Sequence, residues 1–412
     1  MYYGWRLVVI AAIAYMLTMG ATYSALGLFI IPVSQEFGLS RAEMNSALIL
    51  LNLGGAGLSP FIGRMLDRYS PRRIMTAGSV LFGFSFAMLS FSQSVLLDAV
   101  IIALPLAAAV PSAGTLTMSV LLARWFTVHR GKAMVLSALG VSVGSIVMTP
   151  AIGWLLEQQG WRSTLLITGV ACTAILFVLS TQIRERPGPE DKEPGATPEA
   201  LARLQAAMAT GNKPMRIGEI LRMPNFWTIC LSSSLAMGLA QSLSITFVPL
   251  ALDHGLSVME ATTLMSITGI SAIAGILALS AVADKIERSL ILTAFYVLGA
   301  VLNAALLFSH GFVMLAGCAV MLGVAAGAMA PVFFALVADH FGTTSFGTVR
   351  GLMAPFLAVI GAILVRFAGE VFDRTGNYDL LFTIYIFAEL GAAALMFSTR
   401  YCHRRAMAPG YA

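Results

Sequence analysis

Charge is scarce in this chain of 412 residues, since only 11% of the residues are Asp, Glu, Lys or Arg. Soluble domains contain about 25% charged residues and roughly 45–50% apolar ones. Here 58% of the residues are hydrophobic and the mean hydropathy is +0.85. This composition excludes a water-soluble enzyme or binding module and is typical of an integral membrane protein.

Cysteine is also scarce, and the four residues, Cys172, Cys230, Cys318 and Cys402, are far apart in the sequence. Metal sites and redox pairs require closely spaced ligands, so we interpret these residues as small packing groups. The sequence contains no phosphate-binding loop, no metal-spaced His cluster and no nucleophile motif. We therefore expect neither an enzyme nor a bound cofactor or metal, and no ATP-driven pump.

Long apolar runs occupy most of the sequence. A helix that crosses a bilayer needs about 20 apolar residues, so the chain has room for about twelve such helices. We predict an all-α integral membrane protein. The predicted spans are 5–33, 43–64, 73–92, 95–122, 132–156, 163–183, 226–251, 261–283, 289–308, 312–337, 347–370 and 378–399.

The basic residues predict the orientation of these spans. With both termini in the cytoplasm, 21 of the 25 Lys and Arg residues lie on the cytoplasmic side, as the positive-inside rule requires. We expect a multi-pass protein of the inner (plasma) membrane, a monomer whose environment is the lipid bilayer. The net charge of +5 follows from this distribution. Because no aromatic groove lies among the basic residues, nucleic acid is not an expected partner.

Residues 184–222 are the one predicted linker, rich in proline and mixed charge. The linker separates an N-terminal six-helix bundle, 1–183, from a C-terminal six-helix bundle, 223–400, with a cytoplasmic tail at 401–412. Capping signals within the linker predict a short helix from Ala200 to Ala209.

The two predicted bundles share a sequence pattern. An offset of about 216 residues aligns Gly131 with Gly347 and Gly160 with Gly376. Two pseudo-symmetric copies of a six-helix unit are typical of a secondary transporter, whose substrate site lies near the bilayer midplane between the repeats.

The turn at 63–73 carries a family resemblance. It is similar to the loop signature of the major facilitator superfamily, roughly G-x-x-x-D-R-x-G-R-R, and departs from it at Ser70. The matching residues are Gly63, Asp67, Arg68, Arg72 and Arg73. Segments in both predicted bundles also resemble the monocarboxylate and oxalate/formate branch of that family. These segments are Tyr3-Gly4-Trp5, Phe37 to Arg41, Arg124 to Phe126, Arg130 to Ala133, and Asp373 to Tyr378.

The resemblance implies that Asp67, Arg68 and Arg72 form a conformational latch. Asp67 lies where its carboxylate can meet the positive N-terminal end of a neighbouring helix or the side chain of Arg350. Breaking that contact would favour opening toward the cytoplasm. The alternative is a solvated turn that only enforces orientation.

Arg366 is the only basic residue well inside a predicted span. A guanidinium can bind both oxygens of a carboxylate, which suggests an anionic substrate. Alternatively, Arg366 reaches the outer surface or pairs with Glu370 one helical turn away. The branch that the chain resembles has an Asp and an Arg in its eighth span, and the predicted span 261–283 contains neither.

Other polar residues fall at membrane depth. The neutral candidates for substrate binding have hydroxyl, phenol or amide groups and come from spans that this fold places around the transport pathway. They are Tyr15, Tyr23, Ser112, Thr115, Ser142 and Gln241. The acidic residues Asp98 and Glu389 are candidates for proton coupling, because a carboxyl group inside a membrane span usually has a function.

These observations predict a secondary active transporter that moves a small organic anion, foremost a monocarboxylate, by alternating access. Its partners would be the small-molecule substrate and a co-transported proton. One alternative is a proton-coupled exporter of amphipathic or drug-like compounds. Another is a membrane sensor that keeps the fold without transporting.

Overall fold

The structure is a computed structural model that describes residues 2–38, 41–188, 191, 193–194, 215–309 and 311–406. The helix predicted at 200–209 lies outside these described residues. The chain divides into two compact units, the first formed by Met1–Pro214 together with Phe341–Pro355 and the second by the remainder. The segment 341–355, expected in the C-terminal bundle, thus packs with the first unit.

The described chain is almost entirely helical. The helices before the linker are α1 (Tyr3–Met19), α2 (Leu26–Phe37), α3 (Arg41–Arg68), α4 (Pro71–Phe91), α5 (Val95–Ile101), α6 (Ala107–Ala113), α7 (Thr115–Trp125) and α8 (Arg130–Thr181). Those after it are α9 (Ile217–Arg222), α10 (Pro224–Asp253), α11 (Val258–Ser280), α12 (Arg288–Leu307), α13 (Phe312–Phe341), α14 (Phe346–Thr375) and α15 (Asp379–Ala406).

Eleven helical stretches of the described residues are long and apolar enough to cross a membrane. One of them, α8, has 52 residues. At 1.5 Å per residue it would extend about 78 Å, whereas the hydrocarbon core is about 30 Å thick. The backbone of Gly160 (φ 71°, ψ 168°) is not helical and divides α8 into two helices, which correspond to the predicted spans 132–156 and 163–183.

The left-handed glycines also fit the repeat. Gly160 and Gly376, which the offset of 216 residues pairs, both have φ of 71°. Gly160 separates the last two helices of the first sequence copy, and Gly376 lies between α14 and α15, the last two of the second copy. A glycine with positive φ therefore occurs at the paired position of each copy.

Two of the predicted spans contain π-helical segments. The segment Gly20–Ser24 separates α1 from α2, and Ile102–Leu106 separates α5 from α6. The second contains Pro105, which has no backbone N–H to donate to the regular helix, and π-helical turns accommodate such a break. The spans predicted at 5–33 and 95–122 are therefore interrupted rather than continuous helices.

Small residues allow the helices to approach closely, which is how helices associate where lipid removes the hydrophobic driving force. A Cβ atom at Gly140 of α8 would lie 1.9 Å from the carbonyl oxygen of Ala12 in α1. In the second unit, a Cβ at Gly323 of α13 would lie 2.2 Å from the carbonyl oxygen of Thr268 in α11. Backbone therefore packs directly against these two glycines.

The core of the second unit joins α10, α13 and α15. Phe247, Leu322 and Tyr385 are buried in one apolar cluster. Within it the Tyr385 hydroxyl lies 2.7 Å from the Ser242 hydroxyl, so the tyrosine is satisfied although it is buried.

Candidate functional site

The carboxylate of Asp67 binds the N-terminal end of α14. The backbone N–H of Gly347 donates to Oδ1 at 3.0 Å, and that of Thr348 donates to Oδ2 at 2.6 Å. The first N–H groups of a helix have no partner within the helix, and the helix dipole favours a negative charge there. We call this arrangement the Asp67 contact. Of the two partners considered from the sequence, it is the helix end that Asp67 meets.

Glycines make the Asp67 contact geometrically possible. A Cβ atom at Gly63 would lie 2.0 Å from the carbonyl oxygen of Gly347, and one at Gly351 would lie 2.3 Å from that of Ser59. Only a hydrogen atom fits as the side chain at these two positions. The backbones of α3 and of the first two turns of α14 are therefore in direct contact where the helices cross. That spacing brings a short Asp side chain within reach of two amide groups.

Arg350 forms a second connection, one turn further along α14. Its guanidinium donates to the carbonyl oxygen of Thr115 at 2.7 Å and to the hydroxyl of Ser119. The Tyr15 hydroxyl donates to the same Thr115 oxygen at 3.3 Å, and Ser137 lies beside Tyr15. We call Tyr15, Thr115, Ser119, Ser137 and Arg350 the buried polar cluster. Arg350 is only 9% exposed and Tyr15 only 5%.

The other charged residues of the 63–73 turn lie differently. Arg68 and Arg72 have exposed side chains that form no hydrogen bond or ion pair with the described part of the chain. Instead Arg124, which was noted only as part of the family resemblance, is half-buried beside Asp67 and donates to the Leu66 carbonyl at 2.7 Å. Its position at the end of α7 gave no local signal that it would meet α3.

Arg366 lies on an exposed face of α14 in the second unit. It forms no hydrogen bond or ion pair with any residue that the structure describes. Glu370, its expected alternative partner, binds Arg374 at 2.5 Å. On α10, the amide oxygen of Gln241 lies next to Gly361, where a Cβ would approach it to 2.7 Å. Both predicted groups therefore belong to the second unit.

The remaining neutral candidates are dispersed. Tyr23 donates to the side chain of Asn52 at 3.3 Å, and the Ser112 hydroxyl donates to its own helix, at the Ala108 carbonyl. Ser142 is half-exposed and has no hydrogen bond within the described residues. Of the six, only Tyr15 and Thr115 come together, and they do so at Arg350.

The two acidic candidates lie in different units. Glu389 is 3% exposed, and its side chain on α15 lies against Gly299 of α12. Asp98 is half-buried in α5. Glu389 Oε2 and Asp98 Oδ1 are both buried, and neither oxygen has a hydrogen-bond partner in the described structure.

Glu193 was not predicted as a functional residue, and its carboxylate binds the turn between α7 and α8. It accepts from the backbone N–H and the hydroxyl of Thr127 at 2.7 and 2.6 Å, and from the N–H of His129 at 2.8 Å. The side chain is 5% exposed. Trp125 also donates to the carbonyl of Arg184 at 2.9 Å. The beginning of the linker is therefore fixed to the first unit rather than free, a long-range contact that local patterns do not reveal.

Comparison with known proteins places the chain among membrane transporters. The family model described as Major Facilitator Superfamily matches residues 11–365. An uncharacterized MFS-type transporter, YcxA of Bacillus subtilis (strain 168), is 23% identical over 87% of this chain and 86% of its own length. Human monocarboxylate transporter 6 is 27% identical over 95% of this chain and 79% of its own length.

Solved structures have the same fold. The crystal structure of the human organic anion transporter MFSD10 (TETRAN) superposes with a TM-score of 0.72 at 16% identity, covering 95% of this chain and 99% of that one. The fucose:proton symporter FucP of E. coli superposes with a TM-score of 0.68 at 14% identity, over 96% and 97% of the two chains. The match of the family model to most of the chain, together with its membrane-spanning helices, shows that this protein belongs to the Major Facilitator Superfamily and is a transporter rather than an enzyme.

Proposed function

We propose that this transporter moves a small organic anion, foremost a monocarboxylate, across the inner membrane by alternating access, with both termini in the cytoplasm. The observation that carries the substrate class is the side chain of Arg366. It is exposed on a membrane-spanning helix, and the nearby Glu370 is engaged by Arg374. A charged group at membrane depth is costly and usually serves a function, and a guanidinium binds a carboxylate with two parallel hydrogen bonds.

The relatives support the same class. Human monocarboxylate transporter 6 aligns along 95% of the chain, and the MFSD10 structure is that of an organic anion transporter. At identities of 27% and 16% these names suggest the substrate class and do not assign the substrate.

For the cycle, we propose that the Asp67 contact and the buried polar cluster form the cytoplasmic gate. Both hold the first two turns of α14 against helices of the first unit, one through backbone amides and the other through Arg350. Opening requires these bonds to break together, because Gly347, Thr348 and Arg350 belong to one rigid segment of helix. Arg68 and Arg72 would contribute to the latch through their charge in the same turn.

The test is uptake into proteoliposomes of labelled lactate, pyruvate and oxalate, with labelled fucose as a neutral comparison. We expect saturable uptake of at least one monocarboxylate and its loss in Arg366→Gln. The matched control is Arg222→Gln, which removes an exposed arginine of the second unit and should leave uptake unchanged. Intact monocarboxylate uptake by Arg366→Gln would refute the role of this residue. A parent protein that takes up none of the carboxylates would refute the substrate class.

A further inference from the structure

A cavity of about 140 Å³ lies inside the first unit, away from the Asp67 contact and the buried polar cluster. We call it the α5 cavity. Its described walls are mostly apolar and include the aromatic rings of Phe29, Phe86 and Trp161. Val95, also in its lining, is 40% exposed, so the cavity reaches the surface of the unit at the beginning of α5.

Both π-helical segments described above border this cavity. Ala21 and Thr22 belong to Gly20–Ser24, while Ile102 and Leu106 belong to Ile102–Leu106, and all four line the cavity. Single-turn π-helical segments cost helix stability and occur frequently at functional sites. Two irregular segments far apart in the sequence, meeting around one space, indicate that the space is built into the fold.

Polar groups in the described lining are few, and most already form hydrogen bonds within the protein. The Thr22 hydroxyl donates to the Thr18 carbonyl at 2.5 Å, and the Trp161 ring N–H donates to Glu36 at 2.7 Å. Asp98 differs, because its carboxylate has a side-chain hydrogen bond only with Ser92 and its Oδ1 atom has no hydrogen-bond partner in the described structure. Asp98 lines the cavity, so a cationic ligand that donates to its carboxylate forms a charge-assisted hydrogen bond there.

The nearby charges favour a cation over an anion. Arg162 lies close enough to Asp98 to interact electrostatically, but its guanidinium binds Glu36 at 2.7 Å and the Ser92 carbonyl at 2.6 Å. The hydrogen bonds from Arg162 and Trp161 hold the pKa of Glu36 below its ordinary value, so Glu36 stays ionised as the partner of Arg162. Among the described charged groups here, Asp98 is then the carboxylate that lacks a bonded cation.

The volume of the cavity limits the size of a ligand. An apolar protein cavity of about 150 Å³ holds one benzene molecule. A single aromatic ring or a branched alkyl group of similar size would therefore fill the α5 cavity, with room for one polar group at Asp98.

We propose that the α5 cavity binds a small primary ammonium compound, with its aromatic or branched aliphatic body against the cavity walls and its ammonium group donating to Asp98. An anion of the same shape would face the Asp98 carboxylate. A neutral hydrocarbon would form no hydrogen bond with the Asp98 carboxylate. The site lies within the first unit and does not depend on the substrate proposed above.

The probe is labelled benzylamine, with benzyl alcohol and benzoate as isosteric comparisons, in equilibrium dialysis against the purified protein in detergent. We expect saturable binding of benzylamine to one site, weaker binding of benzyl alcohol and none of benzoate. Asp98→Asn should weaken benzylamine binding at least about tenfold, because a charge-assisted hydrogen bond is lost. The control Asp373→Asn, which changes an exposed carboxylate of the second unit, should bind as the parent does.

Ala99→Leu provides an independent variant, since it fills the cavity and keeps Asp98. We expect benzylamine binding to be lost in this variant while its gel-filtration profile and thermal denaturation match those of the parent. If Asp98→Asn fails to fold, the proposal is tested by two other measurements. These are the affinity of the parent for benzylamine relative to benzyl alcohol, and the binding of benzylamine to Ala99→Leu. Binding of benzylamine no tighter than that of benzyl alcohol, equal binding by folded Asp98→Asn, or unchanged binding by Ala99→Leu would each overturn the proposal.

Discussion

Asp67 and Arg350 each connect α14 to other helices of the first unit, but their chemistry differs. Asp67 accepts from two backbone N–H groups at a helix end, where the helix dipole favours a negative charge. Arg350 donates to a backbone carbonyl and a serine hydroxyl, both neutral, so these bonds leave its positive charge in place. The Asp67 contact can therefore be tested by a charge-neutralising change of the same shape.

We expect Asp67→Asn to weaken the hydrogen bonds to the N-terminal end of α14, because the asparagine amide has one acceptor oxygen and no charge. Charge-assisted hydrogen bonds contribute about 1.5–3 kcal/mol, so the equilibrium should shift by roughly tenfold to a hundredfold toward separated helices. The measurement is the labelling rate of Ser59→Cys by a hydrophilic maleimide, with the four native cysteines replaced by serine. Ser59 is a suitable reporter because it is 9% exposed, lies against Gly351 where α3 crosses α14, and its hydroxyl bonds only its own helix.

The matched control for this prediction is Asp373→Asn in the same reporter background, which should leave the labelling rate unchanged. Gly63→Ala provides a second route to the same result, since its Cβ would collide with the Gly347 carbonyl, whereas Gly57→Ala on the same helix meets no atom within 4 Å. Equal labelling rates in the parent, Asp67→Asn and Gly63→Ala would argue against a gate at this position.

Helix α14 carries Arg366 and residues of both connections proposed to form the gate. Its first two turns contain Gly347, Thr348 and Arg350, and Arg366 follows 16 residues later, about 24 Å along the axis at 1.5 Å per residue. Pro355 lies between them, where α14 passes from the first unit to the second. A proline inside a helix removes one backbone hydrogen bond and permits a kink. The residues proposed for the gate and for anion binding thus lie on one helix, with Pro355 between them.

Gly160 separates the two helices within α8, and the contribution of its backbone conformation to stability can be measured. The conformation of Gly160 is one that residues with a Cβ avoid, and nothing lies within 4 Å of the position. We therefore expect Gly160→Ala to destabilise the protein by about 1–3 kcal/mol through backbone strain alone. The apparent melting temperature of the purified protein in detergent is the measurement.

Gly153→Ala is the comparison for this prediction, because Gly153 is helical and a Cβ there would meet only Leu28 at 3.8 Å. Alanine is favoured over glycine inside a helix by roughly 0.5–1 kcal/mol, so this variant should melt at the same temperature or higher. If the two variants melt alike, backbone conformation at Gly160 is not what separates the two helices.

On the scale of the whole molecule, the question is what drives transport. No nucleotide-binding motif occurs in the sequence, and we propose that a gradient of solute or ion supplies the energy. Glu389 is a buried carboxyl group between α12 and α15, and we propose it as the residue that takes up and releases a proton during the cycle.

If one proton accompanies each monocarboxylate, acidifying the outside of proteoliposomes by one pH unit should raise the accumulation ratio of the substrate up to about tenfold. Glu389→Gln should remove this dependence while exchange of labelled for unlabelled substrate continues, because exchange needs no net proton movement. The control is Glu370→Gln, a change of an exposed carboxylate. A parent protein that is insensitive to the pH gradient, or a Glu389→Gln variant that responds as the parent does, would contradict proton coupling at this residue.

Much of this protein was predictable from the sequence, because a bilayer requires long apolar helices and charged residues cannot lie freely in hydrocarbon. The near absence of charge predicted the class and the all-α fold, and the turn at 63–73 predicted the family to which the chain belongs. Gly160 and Gly376, paired by a sequence offset, both adopt the left-handed turn.

Only the tertiary structure decided which polar groups meet. It joined Asp67 to Gly347, Arg350 to Tyr15 and Thr115, and Glu193 to the turn before α8, all pairs separated by more than 60 residues. It also revealed the cavity at Asp98, where two π-helical segments come together. Apolar periodicity and capping signals are local, so they specify helices and their ends, whereas these contacts depend on how helices distant in the sequence cross.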